Sequence, residues 1–210
     1  MFKNLLNPDN ALMITFSQIT DCIFLSFFWL IGCIPVVTIG TSFAALYDSA
    51  FRGFRRGEKH SWQRFAHTYM QNLKAGILPT ILFLAASAAL VKVMVGLWNS
   101  AVYGEISWML FAAGAFIGVL AAGILSVLFP MLSRFENPTL ILIKNTVLLA
   151  LANIPLTVGL GFLNTMCLLL CVWLVVPLFF LPALAALIGS LLIEPMFKPY
   201  LAESSEDAAE

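Results

Sequence analysis

From Asn145 to Ile193 the chain reads NTVLLALANIPLTVGLGFLNTMCLLLCVWLVVPLFFLPALAALIGSLLI, with no Asp, Glu, Lys or Arg. A bilayer core needs about 20 apolar residues per helical crossing. This run is too long for one crossing and fits two joined by a tight turn, for which Gly159, Gly161 and Asn164 are the natural residues. Similar uncharged gaps lie at 22–47, 75–91 and 106–133. The composition agrees: 61% of the 210 residues are hydrophobic, 10% are charged, and the mean hydropathy is +0.96. Soluble domains carry about 25% charged residues, so this chain is expected in lipid. Its net charge is zero, which gives no reason to expect nucleic acid as a partner.

The gaps predict an all-α polytopic bundle with spans near 17–42, 76–98, 106–132, 146–163 and 166–192. Residues 1–198 form a single integral membrane domain, and the acidic tail 199–210 is expected to be disordered. The N-terminus lacks the basic, apolar and small-residue sequence of a cleaved signal peptide. Five spans become six if the first segment is a broken helical hairpin. Asn7-Pro8 suits a helix start. Pro35 and Gly40 bracket Pro-Val-Val-Thr-Ile-Gly, a stretch expected to be non-helical and buried against other helices. Lys3 alone does not decide which side the N-terminus occupies.

Orientation follows from lysine and arginine, which favour cytoplasmic loops. Arg52, Arg55, Arg56, Lys59, Arg64 and Lys74 fall in the first loop, Arg134 and Lys144 in the third, and Lys198 after the last span, whereas 99–105 has none. The 51–75 loop and the C-terminus are therefore expected in the cytoplasm, with the protein in the plasma membrane.

Within that loop Trp62, Phe65, Ala66, Tyr69, Met70 and Leu73 follow helical spacing. They predict an amphipathic helix along the inner leaflet, capped by Ser61, with its aromatics among the headgroups. Arg64, His67 and Lys74 on the opposite face, with Arg55 and Arg56 before it, are the candidate contacts for a cytoplasmic partner. The same pattern also suits a plain interfacial anchor.

Ionisable groups at membrane depth are costly and commonly functional. Asp21, Asp48 and Lys92 are the candidates, with Glu194 at the end of the last span. If the chain folds back at Pro35, Asp21 and Asp48 reach similar depths near the inner face. Lys92 and Glu194 can also reach water from span ends. Gly114, Gly118 and Ala122 form a small-residue stripe for helix packing. Cys22, Cys33, Cys167 and Cys171 all lie in apolar runs and read as small hydrophobes. No nucleophile and base pair, metal cluster, phosphate loop or dinucleotide fingerprint is visible, so neither a cofactor nor enzymatic activity is expected.

The run Trp29-Leu30-Ile31-Gly32-Cys33-Ile34-Pro35-Val36-Val37-Thr38-Ile39-Gly40, then Ala44-Ala45-Leu46-Tyr47, Arg56-Gly57-Glu58 and Asn72-Leu73-Lys74, resembles the signature of the YesL family. Asn7-Pro8-Asp9-Asn10 resembles that family's opening. The family comprises small bacterial integral membrane proteins of unknown function, often encoded beside carbohydrate-uptake ABC transporters and polysaccharide-degrading enzymes, mostly in Gram-positive bacteria. The resemblance implies an accessory or regulatory component of carbohydrate uptake, with an ABC transporter or other membrane subunits as partners. A small transporter with its own site at the broken first helix is the alternative, and a membrane enzyme is the weakest reading. The Glu-Ala-Ala loop of an ABC permease is not found in 51–75.

Overall fold

The computed structural model describes residues 11–206 except 58–59, 105, 136–137 and 175, and among these it is built of helices. The expected helix start at Asn7-Pro8, and Lys3, lie outside the described residues. Helix α1 spans Ala11–Gly32, a 3-10 turn covers Val36–Thr38, and α2 spans Ile39–Ala50 before widening into a π turn at Phe51–Arg55. Then come α3 (Ser61–Val102), α4 (Trp108–Arg134), α5 (Thr139–Ala152), α6 (Ile154–Trp173), a 3-10 turn at Val176–Phe179, and α7 (Leu181–Glu206). Four helices, α3, α4, α6 and α7, are long and apolar enough to cross a membrane, and Gln18–Gly32 and Thr139–Ala152 are shorter apolar helices. Ile77, Leu78, Ile81, Leu82, Val91, Val93 and Val95 along α3 are exposed. A continuous apolar surface of this kind is stable against lipid and not against water.

The first segment takes the hairpin form. Cys22 and Leu25 of α1 share a buried cluster with Ala45 and Leu46 of α2, and Trp29 meets Phe43 edge-on at 5.2 Å between ring centroids. The break lies where proline removes a backbone donor, but it differs from expectation in two ways. Pro35, Val36 and Val37 are exposed, not buried, and Gly40 already belongs to α2. Exposure is tolerated because the freed carbonyls are satisfied locally: the Thr38 hydroxyl donates to Gly32 O at 2.9 Å and shares a 2.8 Å contact with Pro35 O. Gly40 instead marks a close approach. A Cβ there would run into the Phe129 ring and the Thr80 hydroxyl.

The amphipathic helix begins at Ser61, but it is not a separate piece lying along the leaflet. It continues without interruption into the next span, making α3 42 residues long, or about 63 Å. Phe65 and Thr68 are buried while Trp62 and Met70 are exposed. Phe65 meets Phe28 of α1 at 6.2 Å and stacks on Tyr69 at 6.1 Å, so two of the expected headgroup aromatics pack against protein. Only about 20 residues cross the hydrocarbon, and the rest of α3 projects beyond it. Lys74 and Lys92, both exposed, stand about 27 Å apart along the axis, close to the hydrocarbon thickness, which lets each reach a boundary.

The C-terminal half breaks elsewhere than expected. Gly159, Gly161 and Asn164 all sit inside α6. Gly161 and Gly123 let the backbones of α6 and α4 touch: added Cβ atoms would strike Val119 O and Thr157 O respectively. The actual breaks are Asn153 and the stretch between Trp173 and Leu181. At the first, Asn153 Nδ2 donates to Leu149 O at 3.1 Å and Thr157 Oγ1 to Ala150 O at 2.7 Å, supplying donors for carbonyls at the end of α5. Gly114 and Gly118 face Leu97 and Met94 of α3, so that stripe is an internal seam. Helix α7 runs to Glu206; residues 207–210 of the acidic tail lie outside the described residues. The main core gathers Ala44 and Tyr47 of α2, Val127, Phe129 and Leu132 of α4, Leu142 and Leu149 of α5, Leu160 of α6 and Phe197 of α7.

Candidate functional site

Ten of the twelve residues of α2 are buried, yet this helix carries Asp48, whose residue exposure is 1%. A buried carboxylate must be hydrogen-bonded and paired. Asp48 Oδ1 accepts from Arg52 Nε at 2.8 Å, one helical turn away, and Oδ2 accepts from Arg64 Nε and Thr68 Oγ1, each at 2.8 Å. One carboxylate thus joins α2, its π turn and the start of α3.

A second node lies beside it. Glu194 Oε1 accepts from Arg134 Nη2 at 2.6 Å and from the Tyr47 hydroxyl at 3.0 Å, linking α7, α4 and α2. Phe51 fills the space at the start of the π turn, with the guanidinium carbons of Arg134, Arg56 and Arg55 at 4.3, 5.2 and 5.7 Å from its ring centroid. Cations over an aromatic face are attracted by its quadrupole. Arg55 also donates from Nη1 to Ser190 O at 3.3 Å. A cavity of about 420 Å³ opens here, lined by Arg55, Glu194, Pro195 and Lys198.

The candidate residues separate into two groups. Arg64 does not face a partner, as expected from its helix face, but is engaged by Asp48. His67 and Lys74 are exposed two turns apart on one face of α3, and Arg55 and Arg56 are exposed on the π turn. Asp21 and Asp48 do come to the same end of the hairpin, yet in different settings. Asp21 is half-buried, makes no hydrogen bond or ion pair among the described residues, and lines a second cavity of about 380 Å³ with Phe24, Leu25, Phe28, Ser61 and Trp62. Lys92 stands apart from both. Pro35 and Gly40 lie at the other end of α2. Sequence reasoning missed Tyr47, Phe51 and Thr68, and read Glu194 only as a span-end residue. The available signal was that Asp48 and Glu194 each end an uncharged run opposite an excess of arginine.

Among the described residues no group of three His, Cys, Asp or Glu could hold a metal ion. The four cysteines are free thiols.

The apolar helices, their uncovered lipid-facing surface and the charged nodes define a polytopic helical membrane protein with a basic end. Residues 10–97 match the family model described as Protein of unknown function, DUF624. The match covers the region from α1 through most of α3 and is consistent with the YesL resemblance. No curated protein and no solved structure matches the chain.

Proposed function

We propose that the protein is a non-catalytic accessory subunit of the plasma membrane whose basic end faces the cytoplasm and docks a component of carbohydrate uptake. The observation that carries this reading is the division of labour among the basic residues. Arg52, Arg64 and Arg134 are used internally on Asp48 and Glu194, while Arg55, Arg56, His67 and Lys74 remain exposed at the same end. Residues on rigid helices lose little freedom on docking, and α3 holds His67 and Lys74 in a fixed array. The carbohydrate link comes from the family resemblance, and the cytoplasmic placement of this end and of the C-terminus comes from the lysine and arginine bias of the loops.

A transporter with a substrate site at the broken first helix has less support. Carriers line such breaks with polar backbone inside a cavity, whereas Pro35, Val36 and Val37 are exposed and the Gly32 and Pro35 carbonyls are taken by Thr38. Affinity purification from native membranes in mild detergent tests the docking reading. His67→Glu with Lys74→Glu is expected to abolish recovery of transporter subunits while leaving expression and elution unchanged. Undiminished recovery would overturn it.

A further inference from the structure

The cavity beside Glu194 has an excess of positive charge that the internal nodes do not consume. Among the described residues its lining contains one carboxylate, Glu194, which already accepts from Arg134 and Tyr47. The two lining cations, Arg55 and Lys198, have no carboxylate partner among the described residues. Arg56 adds a third such cation over the same Phe51 ring as Arg55. Arg55 and Arg56 are held together on the Phe51 ring, not dispersed.

A second observation comes from Arg134. Its side chain is only 9% exposed, and its Nε is buried with no hydrogen-bond acceptor. Most buried side-chain donors are paired, and a guanidinium matches the forked geometry of a phosphate or carboxylate. Arg134 does not line the cavity; it fixes Glu194 in the wall and leaves Arg55 and Lys198 as the cations a ligand meets.

We infer that the cavity lined by Arg55, Glu194, Pro195 and Lys198 is a binding site for a phosphate ester, with Arg55 and Lys198 as its principal cations. Phosphate fits better than carboxylate because two flanking cations and a nearby third suit a doubly or multiply hydrogen-bonding anion. The volume, about 420 Å³, lies within the range of small-ligand sites and takes more than a bare ion. Pro195 and the aliphatic stems of Arg55 and Lys198 give the non-phosphate part apolar contact. The phosphate can come from the headgroup of an anionic phospholipid, since basic pockets between helices at the membrane face recognise such groups, or from a soluble phosphate compound. This assignment shares Arg55 with the docking reading, and the tests separate the two because the docking variants change His67 and Lys74, which lie outside the cavity lining.

The test is thermal unfolding of the purified full chain in a neutral detergent. One arm adds short-chain phosphatidylglycerol against phosphatidylcholine, and the other adds inorganic phosphate against chloride at matched ionic strength. Stabilisation by phosphatidylglycerol alone identifies the lipid source, and stabilisation by inorganic phosphate identifies a soluble one. In either case Lys198→Gln is expected to weaken the apparent affinity roughly tenfold, as losing one charge-assisted contact does. Arg55→Gln with Lys198→Gln is expected to abolish the shift, Lys198→Arg to preserve it, and Lys74→Gln to leave it unchanged. Lys198 is exposed, so its single variants keep the test valid if the double variant fails to fold. No stabilisation in either arm would overturn the proposal, as would an equal loss in Lys74→Gln, which marks general charge attraction.

Discussion

Arg64 and Asp48 are joined by a 2.8 Å charge-assisted hydrogen bond that ties the start of the longest helix to the most buried one. Asp48 is the centre of this arrangement, because its two oxygens serve Arg52, Arg64 and Thr68 together. Removing one partner from a buried pair leaves the remaining charges uncompensated and costs about 3 to 5 kcal/mol. Asp48→Ala is therefore expected to lower stability by about that amount, seen as a clear drop in thermal midpoint in detergent. Arg64→Ala should cost less, since its side chain is 33% exposed and water can take its place. Equal losses in the two variants would contradict a carboxylate-centred node.

Gly40 gives a contrast within the same protein. A methyl group there meets the Phe129 ring and the Thr80 hydroxyl, whereas one at Gly96 meets nothing within 4 Å. Overpacking a tight contact costs about 1 to 3 kcal/mol, while replacing an open helical glycine by alanine gains about 0.5 to 1 kcal/mol. Gly40→Ala should therefore destabilise and Gly96→Ala should not, as measured by aggregation temperature on a sizing column. Gly40→Leu should prevent recovery of folded protein.

The hairpin turn depends on one hydroxyl. Thr38→Val keeps the shape but removes the donor to Gly32 O and Pro35 O. A loss of about 1 to 3 kcal/mol is expected for leaving the buried Gly32 carbonyl without this donor, whereas Val37→Thr, at an exposed position, should be neutral. Chemical unfolding of the two variants side by side measures the difference.

Membrane sidedness is read by thiol labelling in a background with Cys22, Cys33, Cys167 and Cys171 replaced by alanine. His67→Cys is expected to resist an impermeant reagent in intact cells and Tyr103→Cys to react, because all the loop lysines and arginines lie on the His67 side. Both positions are exposed, whereas Ser61 is buried and would report nothing. The aromatic group formed by Trp98, Trp108 and Phe111 marks the far interface. Labelling of His67→Cys from outside would reverse the orientation.

Helices that announce themselves by charge at their ends were legible in the sequence. The span expected at 106–132 appears as Trp108–Arg134, and Pro35 located the hairpin because a missing donor acts locally. Glycine was ambiguous. Gly161 has the same one-dimensional appearance whether it turns the chain or admits a neighbouring backbone, and only Val119 pressed against it decides the matter. Asn153, followed by Ile154 and Pro155 at the start of α6, was the better boundary signal. The two nodes were less visible, since Tyr47 and Glu194 are 147 positions apart and their pairing depends on tertiary packing. Arg64 was misplaced for a related reason: a polar helix face points to water only when no buried acid lies across from it.

The burial of α2 also sets an order of assembly on the ribosome. This helix is only 12 residues long, too short to settle across a bilayer by itself. Its cover is completed late in synthesis, because Tyr47 is held by Glu194 of the last helix and Ala44 and Tyr47 share a core with Ile193 and Phe197. Domains generally begin folding from the N-terminus as they emerge, but here an early helix waits for the final one. A nascent chain ending before Leu181 therefore presents Tyr47 and its neighbours without their last covering surface, and translation must pass that point before the bundle can close.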